Sequence, residues 1–316
     1  MARIAVLDDY QRVAHRFADW SRLDEHEVTF FHEPLDPATA LGQFDVVCAM
    51  RERTAFTADV FDRLPNLRLL VTTGMRNASV DMDAAATHGV TVCGTEVPSG
   101  STAELTWGLL LALVRNVPRE DAGMREGGWQ ATVGLDLAGR TLGILGLGRL
   151  GSIVARYGAA FGMRLVAWSE NLTAERAAEC GAELVSQDEL LSTADVVTIH
   201  LVLSRRTRGL IGARELGLMK PTAYLVNTSR GPIVDEAALI DALESGGIAG
   251  AAIDVYDREP LPADHPLRQA PNTVLTPHLG YVTQDTFEVF YGQTLEDVEA
   301  WLAGEPIRVI SSPASP

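Results

Sequence analysis

Short apolar runs alternate with helix-like stretches through the first part of the chain. The runs that predict strands are Ile4 to Leu7, Val28 to Phe31, Val46 to Met50, Leu69 to Thr72 and Val90 to Cys93. Such alternation is typical of an α/β unit with a parallel sheet.

The same alternation restarts at Thr141. Strand candidates are Thr141 to Leu145, Arg164 to Trp168, Val196 to Leu201, Ala223 to Val226, Ala249 to Ile253 and Val274 to Thr276. Between them, Ser186 and Glu189 match a capping box, and Gly246-Gly247 closes a helix that begins near Asp235. The pattern predicts a second, doubly wound parallel sheet.

The segment between the two series of strand candidates has a different sequence pattern. Ser101 and Glu104 fit a capping box, and a long apolar helix follows and should stop near Pro118. Residues 119–140 contain Trp129 but have weak periodicity, so we interpret them as a connecting arm.

Length and composition narrow the class of protein. A chain of 316 residues exceeds the size of one growing core, so two domains are expected. Apolar runs fall short of the roughly 20 residues that span a bilayer, and the net charge of −16 opposes a phosphate backbone. We expect neither a membrane nor a nucleic acid as a partner.

Cysteine usage and the N-terminus bear on location. Cys48, Cys93 and Cys180 have neither disulfide nor metal-ligand spacing, and the chain enters its first strand without an export leader. We expect a reducing cytoplasm and no metal site.

A glycine-rich loop directly follows the strand candidate at 141–145 and opens a helix. Gly146 permits the tight turn, Gly148 lets the backbone approach a pyrophosphate, and Gly151 lets helix pack on strand. Arg149 and Leu150 complete this GxGxxG motif. It predicts a dinucleotide at the helix N-terminus.

The next strand should end at the residue that selects the cofactor. Ser169 occupies that position and Glu170 follows it. Ser169 would tolerate the 2′-phosphate of NADP, whereas Glu170 would repel it. NAD is expected, with NADP or a merely solvated Glu170 as the alternatives.

Three later strands are each followed by polar residues. These segments are Asn227 to Gly231, Asp254 to Pro260 and Thr276 to Gly280. Ligands bind outside the carboxyl ends of strands in such sheets, so side chains far apart in sequence can converge there.

Arg230, Glu259 and His278 suit the oxidation of a 2-hydroxy acid. Histidine can take the hydroxyl proton and return it in the reverse direction. A carboxylate would orient the imidazole and favour its charged form, and arginine offers a planar fork to a substrate carboxylate. Taken singly, each residue could be structural or a surface charge.

Four ordered motifs together resemble the D-isomer-specific 2-hydroxyacid dehydrogenase family over nearly the whole chain. They are Gly146 to Gly151, Met219 to Gly231, Asp254 to Pro260 and Thr276 to His278. The resemblance implies that Arg230 holds the substrate carboxylate and carbonyl, His278 is the acid/base and Glu259 pairs with it. It also implies that the cofactor is contacted by His200, Thr228, Asp254, His278 and Gly280. Asp254 would lie near the nicotinamide carboxamide.

The resemblance also implies the domain organisation. A Rossmann NAD-binding domain, residues 101–284, would be inserted into a flavodoxin-like substrate domain formed by residues 1–100 and 285–316. The active site would lie in the cleft between them. A homodimer would form through the cofactor domain, and the regulatory domain of some phosphoglycerate dehydrogenases is expected to be absent.

The substrate-binding turn departs from the family. Relatives carry a glycine-rich turn where this chain has Gly74, Met75 and Arg76, and Arg51 follows another strand candidate. Two arginines in an acidic chain suggest a small 2-hydroxy or 2-keto acid with a second anionic group, such as 3-phosphoglycerate. The alternative is that they pair with Glu52, Asp81 or Asp83.

Tyr281 is a second departure, because relatives have small residues after the histidine. It would either narrow the substrate pocket or pack at a domain hinge.

Other functions remain open at this stage. Glyoxylate or hydroxypyruvate reduction fits the same residues, and some relatives act as dinucleotide-sensing corepressors. Formate dehydrogenases of this fold are disfavoured, because their catalytic histidine pairs with an amide and this chain has Glu259.

Overall fold

The computed structural model describes residues 1–98 and 100–312. It divides into two compact units. The first unit is Met1–Pro98 with Thr283–Pro316, and the second is Ser99–Val282. The predicted domain limits, at residues 100 and 284, lie close to these; residues 313–316 of the predicted substrate domain lie outside the described residues.

The first unit begins with five parallel strands and the helices between them. The strands are β1 (Arg3–Val6), β2 (Glu27–Phe30), β3 (Val46–Ala49), β4 (Leu69–Thr72) and β5 (Thr91–Gly94). The helices are α1 (Ala14–Phe17), α2 (Pro37–Ala40), α3 (Ala58–Phe61) and α4 (Met82–Thr87). Every residue of β3 and β4 is buried, as expected for strands covered on both faces.

The second unit contains a parallel sheet of seven strands. Its strands are β6 (Thr141–Leu145), β7 (Arg164–Trp168), β8 (Glu183–Leu184), β9 (Val196–Ile199), β10 (Tyr224–Asn227), β11 (Gly250–Ile253) and β12 (Thr273–Leu275). Its helices are α5 (Ser101–Val114), α6 (Val117–Arg125), α7 (Arg149–Ala160), α8 (Ala174–Glu179), α9 (Gln187–Thr193), α10 (Ala213–Leu218) and α11 (Glu236–Glu244). Leu225 and Val226, neighbours on β10, belong to different apolar clusters, so both sheet faces are covered.

The chain then returns to the first unit through α12 (Gln284–Leu302) and β13 (Val309–Ser311), which pairs antiparallel with β5. The sheet orders are β13-β5-β4-β3-β1-β2 and β12-β11-β10-β9-β6-β7-β8. The first contains the flavodoxin-like order, and the second is the Rossmann order extended by one strand. The predicted fold class is confirmed.

Helix ends around the predicted arm differ from expectation. Gly100, with φ of 132°, is the N-cap of α5 and no side chain caps that end, so the capping box predicted at Ser101 is wrong. The apolar helix α5 ends at Val114, close to the predicted stop, but Pro118 is not what ends it. This proline lies in the first turn of α6, where a backbone N–H would have no partner within the helix, so proline is tolerated there. The arm therefore begins as a helix. The cap predicted at Ser186 is confirmed, since its side chain accepts from the Glu189 N–H.

Within residues 1–98 and 100–312, no helix combines the length and the apolarity that crossing a bilayer requires. All three cysteines are free thiols.

Candidate active site

The glycine loop between β6 and α7 has the shape that a pyrophosphate needs. A Cβ on Gly146, where φ is 97°, would lie 2.7 Å from the carbonyl oxygen of His200. A Cβ on Gly151 would lie 2.0 Å from the Gly146 carbonyl oxygen, so helix and loop could not pack as they do. Gly148, exposed at the N-cap of α7, has open space beside it, and no side chain caps the helix. The loop therefore fits a dinucleotide phosphate.

Arg149 is exposed and Leu150 half-buried at the start of α7. Ser169 directly follows β7 and is half-buried, and Glu170 beside it is exposed. His200 follows β9 and its Nε2 lies 3.0 Å from the Thr198 hydroxyl. Burial lowers the pKa of His200 to about 4, so its ring is neutral near pH 7.

Two threonines on α5 hold loops at the same edge of the second sheet. The Thr106 hydroxyl lies 2.7 Å from that of Thr228, and the Thr102 hydroxyl donates to the Gly280 carbonyl over 2.9 Å. Thr102 and Thr106 were not predicted. Their signal was two hydroxyls four residues apart on a mostly apolar helix.

Asn227 shapes the turn that carries Arg230. Its Oδ1 accepts from the Ser229 N–H at 3.0 Å, and its Nδ2 donates to the Arg230 carbonyl at 3.1 Å. A Cβ on Gly231 would lie only 2.1 Å from the carbonyl carbon of Tyr256. Glycine therefore lets this turn press against the segment that leads to Glu259.

Glu259 and His278 share a short hydrogen bond. His278 Nδ1 lies 2.6 Å from Glu259 Oε2, and these side chains are 16% and 26% exposed. Glu259 Oε1 accepts from the Tyr256 N–H over 3.0 Å. Both carboxylate oxygens are thus engaged, and the bond through Nδ1 leaves Nε2 as the nitrogen for proton exchange.

Asp254 organises the backbone around His278, which has φ of 54°. Its Oδ1 accepts from the Thr276 hydroxyl at 2.5 Å and the Leu279 N–H at 2.7 Å, and its Oδ2 accepts from the Gly280 N–H at 3.0 Å. Burial raises the pKa of Asp254, while these donors act in the opposite direction. Its approach to a nicotinamide carboxamide stays a prediction.

Tyr281 is buried against the histidine. The rings of His278 and Tyr281 meet edge to face, with centroids 5.6 Å apart. The departure at position 281 thus contacts the predicted acid/base residue directly.

In the first unit, Arg51 follows β3 with φ of 52°. Its N–H donates to the Thr73 hydroxyl at 2.8 Å, and its Nη1 to the Thr73 carbonyl at 2.9 Å. Its Nη2 lies 3.6 Å from Glu52 Oε2. A Cβ on Gly74 would lie 2.1 Å from Arg51 Nη1, so the guanidinium occupies the space that a larger residue 74 would need.

The neighbours of Gly74 are differently placed. Met75 is 45% exposed and Arg76 is exposed, and no ion pair joins Arg76 to Asp81 or Asp83 in the described part of the chain. Asn77, which was not predicted, donates from Nδ2 to the Arg51 carbonyl at 2.7 Å.

In the part of the chain that the structure describes, no group of three His, Cys, Asp or Glu side chains is placed to bind a metal ion.

The chain is similar to known proteins over most of its length. Residues 107–280 match the family profile described as D-isomer specific 2-hydroxyacid dehydrogenase, NAD binding domain. The glyoxylate reductase of Aeropyrum pernix is 44% identical over 238 residues, which is 72% of this chain and 71% of the relative.

The D-3-phosphoglycerate dehydrogenase of Bacillus subtilis is 37% identical over 285 residues, covering 88% of this chain and 54% of the relative. This chain thus spans about half the length of that protein. Among solved structures, a phosphoglycerate oxidoreductase from Vibrio cholerae superposes with a TM-score of 0.91 at 35% identity, covering 96% of this chain and 100% of that one.

Proposed function

The chain belongs to the D-isomer-specific 2-hydroxyacid dehydrogenase family, and from this premise we propose that Arg230, Glu259 and His278 carry its chemistry. It is a nicotinamide-dependent oxidoreductase that interconverts 2-hydroxy and 2-keto acids. The observation that carries the residue assignment is the 2.6 Å bond between His278 Nδ1 and Glu259 Oε2 at the carboxyl edge of the second sheet.

When bound, the nicotinamide donates a hydride to the keto carbon or accepts one from the hydroxy acid. In reduction, His278 gives its Nε2 proton to the carbonyl oxygen, and in oxidation it takes the hydroxyl proton back. Glu259 stabilises the imidazolium and fixes the ring. Arg230 holds the substrate carboxylate and faces the oxygen that gains charge.

We assign the cofactor phosphates to the loop of Gly146, Gly148, Arg149, Leu150 and Gly151. Ser169 and Glu170 would face the ribose, and His200, Thr228, Asp254 and Gly280 would complete the site. We propose NAD over NADP, because the exposed Glu170 carboxylate repels a 2′-phosphate.

We assign the substrate's second anionic group to Arg51, with Gly74, Met75, Arg76 and Tyr281 as further substrate contacts. The support is the dense set of bonds that fixes the Arg51 backbone and guanidinium. 3-Phosphohydroxypyruvate and 3-phosphoglycerate are the corresponding keto and hydroxy acids.

Glyoxylate reduction is the second candidate, and hydroxypyruvate reduction accompanies it. It is favoured by the 44% identity to the Aeropyrum pernix glyoxylate reductase and by Glu52, which partly neutralises Arg51 at 3.6 Å.

A panel of 2-keto acids, assayed with NADH and NADPH in parallel, tests these assignments. We expect 3-phosphohydroxypyruvate to exceed glyoxylate and hydroxypyruvate in kcat/KM, and NADH to exceed NADPH. Equal efficiency for phosphorylated and unphosphorylated hydroxypyruvate would overturn the second anionic site. Tight NADH binding without turnover across the panel would overturn the catalytic assignment.

We propose a homodimer formed through the arm of the second unit. The support is four exposed apolar side chains in or beside this arm: Val117, Met124, Trp129 and Val133. Sedimentation of the purified chain tests this, with Trp129→Ser expected to favour the monomer and Phe161→Ser, another exposed aromatic of the same unit, expected to leave the dimer unchanged.

We also place the chain in a reducing, cytoplasmic compartment, supported by its three free thiols. Fractionation of cells that express the full-length protein tests this location.

A further inference from the structure

Tyr256 contacts Glu259 itself and residues close in sequence to Arg230 and His278. Its N–H donates to Glu259 Oε1 at 3.0 Å. Its carbonyl carbon packs where a side chain at Gly231, next to Arg230, would stand. Its hydroxyl donates to the Thr276 carbonyl at 2.8 Å and lies 3.2 Å from the Ile253 carbonyl.

Thr276 links Tyr256 to the histidine. Its carbonyl accepts from the Tyr256 hydroxyl and, at 3.0 Å, from the His278 N–H, which also donates to the Asp254 carbonyl at 2.8 Å. Its own hydroxyl donates to Asp254 Oδ1. Thr276 is therefore held through both its side chain and its backbone, two residues before the acid/base group.

His278 requires such support. Its φ of 54° lies in the left-handed region, which is uncommon for a residue with a side chain and is held here by surrounding contacts. The pKa of Tyr256 is raised, chiefly by burial, so its phenol stays protonated and remains a donor. The Tyr256 ring is 7% exposed, which keeps water from replacing this donor.

We propose that Tyr256 and Thr276 are positioning residues that hold the His278–Glu259 pair in its reactive arrangement. Their hydroxyls act through the Thr276 carbonyl and through Asp254, so neither needs to touch substrate or cofactor. This inference rests on the proposed roles of His278 and Glu259.

Two isosteric substitutions test it. Tyr256→Phe removes the hydroxyl and keeps the buried ring, and Thr276→Val removes the donor to Asp254. With the keto acid turned over fastest in the panel, we expect each to lower kcat about tenfold or more, because small displacements of a catalytic group are costly. KM and the dissociation constant for NADH should stay within about twofold of wild type.

A second readout is independent of turnover. The Nδ1 proton between His278 and Glu259 should give a downfield NMR signal in the free protein, identified by its absence in His278→Gln. We expect this signal to shift or broaden in both variants. Thr276→Ser keeps the hydroxyl and should restore both kcat and the signal.

Tyr224→Phe is the matched control. Tyr224 begins β10, at the opposite edge of the sheet, and its substitution should change neither kcat nor the imidazole signal. Wild-type kcat in Tyr256→Phe and Thr276→Val would overturn the inference. So would a loss of kcat that only follows the folded fraction in thermal unfolding while the signal stays in place.

The two proposals fail in different ways. Activity retained in His278→Gln overturns the catalytic assignment, and the inference with it. Activity lost in His278→Gln but intact in Tyr256→Phe and Thr276→Val overturns the inference alone.

Discussion

The carboxyl edges of the two sheets both carry charged side chains, but they hold them differently. In the second unit, His278 and Glu259 are bonded to each other and to backbone groups of their own loops. In the first unit, Arg51 is fixed by uncharged partners and has an acid at 3.6 Å, while Arg76 is exposed. Transfer of a proton or hydride requires catalytic groups that are already in position. Recognition of a distal anion requires mainly a positively charged side chain that is fixed in place. The difference supports the proposal that the chemistry belongs to the second unit and the choice of substrate to the first.

The largest effect should come from His278→Gln. Removal of the proposed acid/base group should lower kcat by about 10²- to 10⁴-fold, whichever keto acid is used. Glu259→Gln should lower kcat by a smaller factor, because the imidazole of His278 remains. Steady-state kinetics check both, and His88→Gln, which removes an ion pair with Asp62 in the first unit, should leave kcat unchanged. A comparable loss in His88→Gln would break the assignment of chemistry to the second unit.

Gly231→Ala should come next. The added Cβ would meet the Tyr256 carbonyl carbon at 2.1 Å, so the Arg230 turn must move away from the Glu259 segment. We expect kcat/KM to fall about 10²-fold, as for an ångström-scale misplacement of catalytic groups. Gly217→Ala is the control, since nothing lies within 4 Å of its added Cβ on α10. Equal losses in the two variants would show that the contact at Gly231 is unimportant.

Arg51→Met tests the proposed role of the first unit in substrate choice. Loss of a charge-assisted contact should lower kcat/KM for 3-phosphohydroxypyruvate by about 10- to 100-fold. Glyoxylate reduction should change by less than about threefold, because it has no second anion to lose. Arg68→Met, which breaks an exposed ion pair with Asp45, is the control. Equal losses on both substrates would assign Arg51 to the stability of the unit.

The smallest expected effect is a pH dependence of stability that differs between the units. Burial raises the pKa of Asp297 to about 7, so the folded first unit keeps a proton that the unfolded chain has released. Unfolding free energy should therefore fall as pH rises from about 4 to about 7, by roughly 2 kcal/mol between pH 5 and 7. His200 in the second unit has a lowered pKa, so it costs stability as pH falls from about 6.5 towards 4.

Asp297→Asn separates these contributions. Thermal unfolding of wild type and variant at about pH 5 and pH 7 should show the variant gaining relative stability at the higher pH. The same difference at both pH values would contradict the raised pKa. Hydrogen exchange of α12 and β13 peptides would show whether the change is confined to the first unit.

The sequence predicted the parts of the fold that have strong local signals. β4, β6 and β7 have the predicted bounds, because apolar runs buried on both faces leave little choice of register. β8 and β13 were missed. β8 has two residues and β13 is largely unburied at the sheet edge, so neither shows the apolar pattern of a central strand.

Site residues could be predicted where a sequence motif specifies them. Residues that only position another side chain could not. The structure joins Glu259 to His278, which far-apart positions in the sequence only suggested. Asn77, Thr102, Tyr256 and Thr276 were missed as supporting residues, because a hydrogen bond to a distant backbone carbonyl leaves no periodic trace. The left-handed backbone of Arg51 and His278 was equally invisible, since neither is a glycine.

The space above Gly74 also constrains how this protein can evolve. Because the Arg51 guanidinium fills the volume of a side chain at 74, the two positions are epistatic. Gly74→Ala would displace the Arg51 guanidinium from the Thr73 carbonyl, and the positive φ of 101° adds strain that no change at position 51 relieves. Position 51 can therefore vary only with Gly74 retained, and a library that tests the proposed role of Arg51 in specificity should keep this glycine.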